Sequence, residues 1–254
     1  MEQDNCVSMK TERFSVRTLE AGINNQVRLS AICNYLQEIS GDHADELGVG
    51  IRDLKAKGDT WMLSRLKLNI DAVAKWHDEV IIHTWAAGIS GRVIALRDFK
   101  GEDGKGNPLF TAVSEWIYVN IKTKRIGRVP AKVGELVPPG APRVYLPDMP
   151  LRFPKTIFPQ WTSRITVRRC DQDFNGHVNN AHYVNWALEP LPMDWLTRYR
   201  VKTFDIQFRQ SAFRGDLLRS EVACEEGQTL IHRIVRVSDE ALLAQSRSVW
   251  KSRS

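Results

Sequence analysis

Arg169-Cys170-Asp171-Gln172-Asp173-Phe174-Asn175-Gly176-His177-Val178-Asn179-Asn180 runs straight into Ala181-His182-Tyr183-Val184-Asn185-Trp186-Ala187-Leu188-Glu189-Pro190. The first part is polar and turn-like; the second is an apolar helix that stops at a proline. Asp173, Asn175 and His177 fall at alternate positions. In an extended backbone such residues point the same way. A carboxylate, an amide and an imidazole then meet at the mouth of a buried helix. That trio has what is needed to position a carbonyl, activate water and move a proton. The helix opening near Val178 and Asn179 adds backbone N–H donors and a partial positive charge, suited to a developing oxyanion.

Working outward, Ile165 and Val167 begin a strand before this stretch. After it, Phe204, Ile206 and Phe208 alternate with Asp205, Gln207 and Arg209, and strands follow over 217–224, 230–237 and 241–251. The first half has the same order. A half-buried strand over 13–20 precedes Asn24-Asn25, which offers a helix cap. A helix over 27–40 carries Leu29, Ile32, Cys33, Leu36 and Ile39 on one face, with Gly41 as its stop. From Trp61 the pattern turns to strands: Met62, Leu66, Leu68 and Ile70 alternate, Val80–Trp85 and Arg92–Phe99 follow, and the turn at 101–108 leads into 109–120. The two helices align with Ile32, Tyr35 and Glu38 over Tyr183, Trp186 and Glu189, and Ser114/Trp116 lie over Ser248/Trp250. A helix wrapped by a curved antiparallel sheet, twice over, is an α+β tandem hotdog architecture.

Between the halves the pattern breaks. Eight of the eleven prolines fall within 130–160, and proline does not sit inside sheets. The expected division is a first domain over 1–135, a proline-rich connector over 136–160 and a second domain over 161–254.

The 254 residues are 43% hydrophobic and 26% charged, the balance of a globular protein. No stretch approaches the roughly 20 apolar residues of a membrane span, and the opening residues lack the pattern of a secretory signal, so a cytoplasmic protein without membrane association is expected. The formal charge of +6 fits nucleic acid, an acidic membrane surface or an acidic protein as partner. The basic residues are scattered, the densest group being Lys122, Lys124, Arg125 and Arg128, and no nucleic-acid motif surrounds them. Cys6, Cys33, Cys170 and Cys224 form no CxxC pair, and the histidines have no metal-ligand spacing, so neither metal nor cofactor is expected. Cys33 reads as core and Cys170 as a strand-end residue. His182 and His232 read as surface or sheet residues.

Asp173-x-Asn175-x-His177-Val178-Asn179-Asn180, followed by Tyr183-x-x-Trp186 and Glu189, resembles the signature of the fatty acyl–acyl carrier protein thioesterases of plants and bacteria. The likeness extends over about 12–250, through Gln37-Glu38, Trp61, Arg97-Asp98-Phe99 and Arg128-Val129-Pro130. It implies a double-hotdog hydrolase that splits a fatty acyl thioester from acyl carrier protein. Asp173, Asn175 and His177 would be its catalytic cluster, and either Asp173 or His177 its base. The family's later glutamate falls on Ser211 here, and its once-proposed cysteine nucleophile on Ala212, which rules out covalent catalysis at that position. The acyl chain would lie in the first lobe, with Ile32, Leu36, Trp61, Met62 and Leu66 as candidate liners. An acyl-coenzyme A thioesterase, a hydroxyacyl dehydratase and a non-catalytic acyl-binding module are the competing readings. Hotdog units pair side by side; two units in one chain supply that pairing, and a homodimer of chains is a further arrangement.

Overall fold

Among the described residues, alternating apolar residues build two sets of five antiparallel strands, each with a 3-10 turn and two helices between its first and second strands. The computed structural model describes residues 9–22, 24–144, 146, 152–173 and 176–253. Backbone contacts divide the chain into two compact units, Met1–Arg28 with Asn34–Leu146, and Leu29–Cys33 with Pro147–Ser254.

In the first half, β1 (Met9–Ser15) is followed by a single 3-10 turn (Thr18–Glu20), α1 (Leu29–Glu46), α2 (Ile51–Lys55), β2 (Asp59–Ile70), β3 (Glu79–Ser90), β4 (Ile94–Asp103) and β5 (Pro108–Asn120), and α3 (Ala131–Glu135) closes it. The strands pair in the order β1-β3-β4-β5-β2. In the second half, β6 (Trp161–Thr166) leads through a 3-10 turn (Arg169–Asp171) to α4 (Asn180–Leu188) and α5 (Met193–Arg198). Then come β7 (Tyr199–Phe208), β8 (Leu217–Glu226), β9 (Thr229–Arg236) and β10 (Ala241–Ser252), paired in the order β6-β8-β9-β10-β7. The two topologies are the same.

Helix α1 buries Ile32, Tyr35, Leu36 and Ile39. Phe14 of β1 stacks on Tyr35 with ring centroids 4.5 Å apart. Gly41 does not end this helix. A mid-helix glycine costs about 1 kcal/mol, while burying one leucine returns about 1.5–3 kcal/mol. Continuing to Glu46 buries Leu47 and brings His43 to the sheet, where Arg97 Nη1 donates to its Nδ1 at 2.8 Å. The stop is Gly48, at φ 66°, where Gly48 N–H bonds Asp45 O and Val49 N–H bonds Ala44 O. This is a Schellman ending. Nor do Asn24 and Asn25 cap the helix: the N-cap is Arg28, and Asn25 sits in a turn at φ 57°. The second helix is half as long, nine residues against eighteen, because Pro190 forbids its continuation.

Strand β2 carries a bulge between Leu63 and Arg65. An inserted residue swaps the faces beyond it, so Leu63 and Leu66 are buried while Met62 is 41% exposed. Strand β4 runs on to Asp103, past the turn expected to begin at Gly101. At the start of the proline-rich stretch, Arg143 Nε and Val144 N–H both donate to buried Asp98 Oδ2, at 3.0 and 2.8 Å.

In the second unit α4 is tied to its sheet by side chains from the strands. Ser220 Oγ donates to Trp186 O at 2.6 Å, and His232 Nδ1 lies 2.7 Å from Ala187 O. With Nδ1–H donating there, His232 Nε2 accepts from Ser248 Oγ at 2.7 Å, and Ser248 Oγ accepts from Trp250 Nε1. His232, placed by sequence at the surface or in a sheet, is a fully buried sheet residue whose burial pushes its pKa down to about 4. It is neutral at pH 7. Among the described residues no helix is long and apolar enough to cross a membrane.

Candidate active site

The extended arrangement expected over 173–177 does not form. Asp173 N–H bonds His177 O at 2.8 Å, and Gly176 N–H bonds Asp173 O at 3.0 Å, so the chain reverses within a tight turn. Gly176, at φ 76°, supplies the left-handed position that such a turn requires. Asp173 and His177 are thus joined across the turn by a backbone bond rather than alternating along one strand. Asn175, like Phe174, lies outside the described residues.

The turn is set on the helix by a short ladder. Gln172 and Val178 form an antiparallel bridge, and Asn179 N–H bonds Asp171 O at 3.1 Å. Asn179 Oδ1 then caps α4 by accepting from Ala181 N–H at 2.9 Å. Asn179 is therefore not an oxyanion donor: its own amide is consumed by the ladder. Cys170 is exposed in the 3-10 turn, not at a strand end. Its neighbour Asp171 is buried. Burial raises the Asp171 carboxyl, but Arg168, through its guanidinium and its backbone N–H, together with His182 at 3.7 Å, outweighs that and holds it below the usual range.

The first unit carries the same construction 151 residues earlier. Gly22 N–H bonds Gln26 O, Asn25 N–H bonds Gly22 O, Arg28 N–H bonds Glu20 O, and Ala21 bridges Val27. The segment before β3 matches the one before β8 as well. Val16 N–H bonds Asp78 O and His77 N–H bonds Val16 O, as Val167 N–H bonds Asp216 O and Gly215 N–H bonds Val167 O. Trp116 Nε1 donates to Ser114 Oγ as Trp250 does to Ser248, each at 2.7 Å. By this superposition Gly22 stands for Asp173, Asn24 for Asn175, Gln26 for His177, Val27 for Val178 and Ala74 for Ala212.

One feature differs. In the first unit the turn is zipped to the loop before β3: Val27 N–H bonds Ala74 O at 2.9 Å, Trp76 N–H bonds Asn25 O at 3.1 Å, and Gln26 bridges Lys75. The equivalents in the second unit, Val178 to Ala212 and Arg214 to Gly176, are not among the backbone bonds of the described residues. Instead Gly176 O accepts from Gln172 Nε2 at 2.6 Å, Ala212 N–H turns to the Tyr183 hydroxyl at 2.7 Å, and the His177 ring meets Phe213 edge-on at 5.8 Å. Among the described residues the Val178 N–H has no backbone acceptor; it lies beside His177 and one position before the helix cap.

Ser211 is half-buried on the same loop, next to Ala212, and its carbonyl accepts from Arg236 Nη1 at 3.4 Å. Of the candidate liners, Ile32, Leu36 and Leu66 are buried. Trp61 joins a side cluster with Leu47, Val49, Val129 and Val133 and donates from Nε1 to Val49 O at 2.9 Å. Met62 is excluded as the liner of an enclosed channel by the β2 bulge. No grouping of histidine, cysteine and carboxylates suited to a metal occurs among the described residues.

Two copies of a helix lying on an antiparallel sheet, one with its turn opened over an acid and an imidazole, define a tandem hotdog protein with a single candidate site. Sequence profiles of the acyl-ACP thioesterase N-terminal and C-terminal domains match residues 8–137 and 157–252. The chain belongs to the acyl-ACP thioesterase family. It is 28% identical over 239 residues to an oleoyl-acyl carrier protein thioesterase of Arabidopsis thaliana, covering 88% of this chain and 65% of that one. It is 26% identical to the palmitoyl-acyl carrier protein thioesterase of the same plant, covering 96% and 64%. The chain thus spans about two thirds of the length of these relatives. An acyl-ACP thioesterase structure from Bacteroides thetaiotaomicron superposes with a TM-score of 0.87 at 22% identity, over 96% of this chain and 98% of that one. The 12:0-ACP thioesterase of Umbellularia californica gives 0.84 at 23% identity, over 96% and 98%. At these identities the two structures speak to the fold.

Proposed function

We propose that the chain hydrolyses the thioester between a fatty acyl group and acyl carrier protein, releasing free fatty acid and the carrier's thiol. The observation that carries this reading is the opened bridge at Val178, present in the unit that holds Asp173 and His177 and closed in the unit that holds Gly22 and Gln26. The thioester carbonyl oxygen takes the Val178 N–H, at the positive end of α4. Asp173 accepts a proton from water as the water attacks the carbonyl carbon. The tetrahedral intermediate collapses with cleavage of the C–S bond, and the proton that Asp173 took passes through His177 to the departing thiolate, which returns both groups to their starting state. Ser211 cannot stand in for a glutamate as base, since a hydroxyl has no affinity for a proton at neutral pH, and this leaves the work to Asp173. Asn175, at the family's amide position, orients the carbonyl or the water.

Exposed arginines suit an acidic carrier and equally the phosphates of coenzyme A, so a direct comparison separates the two. Arg168, Arg169, Arg209 and Arg214 are all exposed on the segments flanking the turn, in a chain of net charge +6. The test presents one acyl chain on acyl carrier protein and on coenzyme A, with a thiol-reactive dye as readout. Higher kcat/KM on the carrier is expected. Equal or better turnover of the coenzyme A ester would make this an acyl-CoA thioesterase. No thiol release from either, with acyl ligand retained, would make it a binding module.

A further inference from the structure

In the first unit, position 74 closes the bridge through its carbonyl; in the second, position 212 turns its N–H to Tyr183 instead. The superposition places Ile32 where Tyr183 stands, and isoleucine has no hydroxyl to offer. We infer that the Tyr183 hydroxyl is the positioning group that holds the Gln210–Asp216 loop off the turn and so keeps the Val178 N–H open. This rests on the oxyanion role given to Val178 above.

Three observations support it. The hydroxyl is engaged at both of its functions, accepting from Ala212 N–H at 2.7 Å and reaching Gln210 O at 3.5 Å, so it grips the loop on either side of Ser211. Burial pushes its pKa up to about 12, so the proton needed for the second contact stays on. Its ring is fixed by Trp186 on the same helix and by Phe208 at the end of β7, at 5.3 and 5.9 Å. From the sheet side the same loop is held by Arg236, whose Nη1 contacts Ser211 O and Asp216 Oδ2, each at 3.4 Å. The loop is thus pinned at two ends, and neither pin is repeated in the closed unit: Ile32 stands at the tyrosine position, and strand register puts Asp103, bonded to Lys105 and Asn107 within its own turn, where Arg236 stands. Without the Tyr183 pin, the Ala212 carbonyl is free to do what Ala74 O does and take the Val178 N–H.

The test is Tyr183→Phe, which deletes the hydroxyl and keeps the ring. Amide hydrogen exchange is followed at Val178, with Val27 as the closed reference in the same chain, and turnover is measured in parallel. The expected result is that Val178 exchange slows at least tenfold towards the Val27 rate. In parallel kcat falls at least tenfold and KM stays within about twofold. Unchanged Val178 exchange overturns the inference, whatever happens to kcat. If the substitution unfolds the chain, seen as lost protection at Val27, the unaltered protein decides: Val178 must exchange faster than Val27, and equal protection is a refutation. Because exchange is read without substrate, a chain that hydrolyses no thioester would sink the proposed function while leaving this test standing.

Discussion

Acid should loosen the second unit through one residue. His232 is buried between Ala187 O and Ser248 Oγ, with its pKa down at about 4 against an ordinary 6.5. The unfolded chain therefore takes up a proton near pH 6.5 that the folded chain refuses until about pH 4. Folding stability is fully present above pH 6.5 and drains away as pH falls through that window. At about 1.4 kcal/mol per pH unit of difference, the loss between pH 7 and pH 5 comes to about 2 kcal/mol. The comparison is urea unfolding of the wild type and of His232→Gln at pH 7 and pH 5, following the transition of the second unit, since two units need not unfold together. The variant is less stable at pH 7, because it disturbs a buried donor–acceptor chain. Its further loss on acidification should be smaller than the wild type's by about 2 kcal/mol. Parallel pH dependences would show that His232 protonates normally when folded, and the assignment of a neutral bridge would be wrong. The consequence reaches the site, because His232 fixes Ala187 on the helix whose other end carries Asn179 and Val178.

Other outcomes follow from the same geometry. Asp173→Asn and His177→Ala should each lower hydrolysis at least about tenfold, within the range that general acid–base groups contribute, with little change in melting temperature; full activity in both would remove the catalytic assignment. Gly48→Ala should cost about 1–2 kcal/mol from the left-handed backbone at φ 66°, read by thermal unfolding, and an unchanged melting point would argue against the Schellman ending. Raising ionic strength should raise KM for acyl carrier protein with little effect on kcat, and a salt-independent KM would leave the exposed arginines without a docking role.

The periodic features of the fold are legible in sequence: strand alternation, the buried face of α1, the proline-rich break, and the repeat of helix and strands. Two things are decided by packing and register that no local pattern records. Gly41 looks like a stop, yet the burial of His43 and Leu47 carries the helix past it. Met62 and Leu66 share parity in the sequence, and a single bulged residue in β2 separates them. The Asp173–His177 stretch looks extended by spacing, though Asn175-Gly176 is itself a turn signal and could have corrected the reading. The acid and imidazole of the site could be named from residue types, and so could the helix start. The opened bridge could not, because it is the absence of a backbone bond. Only the first copy, which makes that bond between Val27 and Ala74, reveals it. The roles of Tyr183 and His232 lie in one polar atom each, which leaves no periodic trace in the sequence.

The duplication has a bearing on how such a site arises. The closed turn around Gly22 and Gln26 shows that the scaffold is content without any chemistry, so holding the Val178 amide open is a departure that one copy sustains while its sibling relaxes. A fused pair can divide labour in a way that two identical subunits cannot, since a change written into one half is not copied into the other. On the function proposed above, the two halves differ at this turn by an acid, an imidazole and one phenolic oxygen, set on a backbone that both already share.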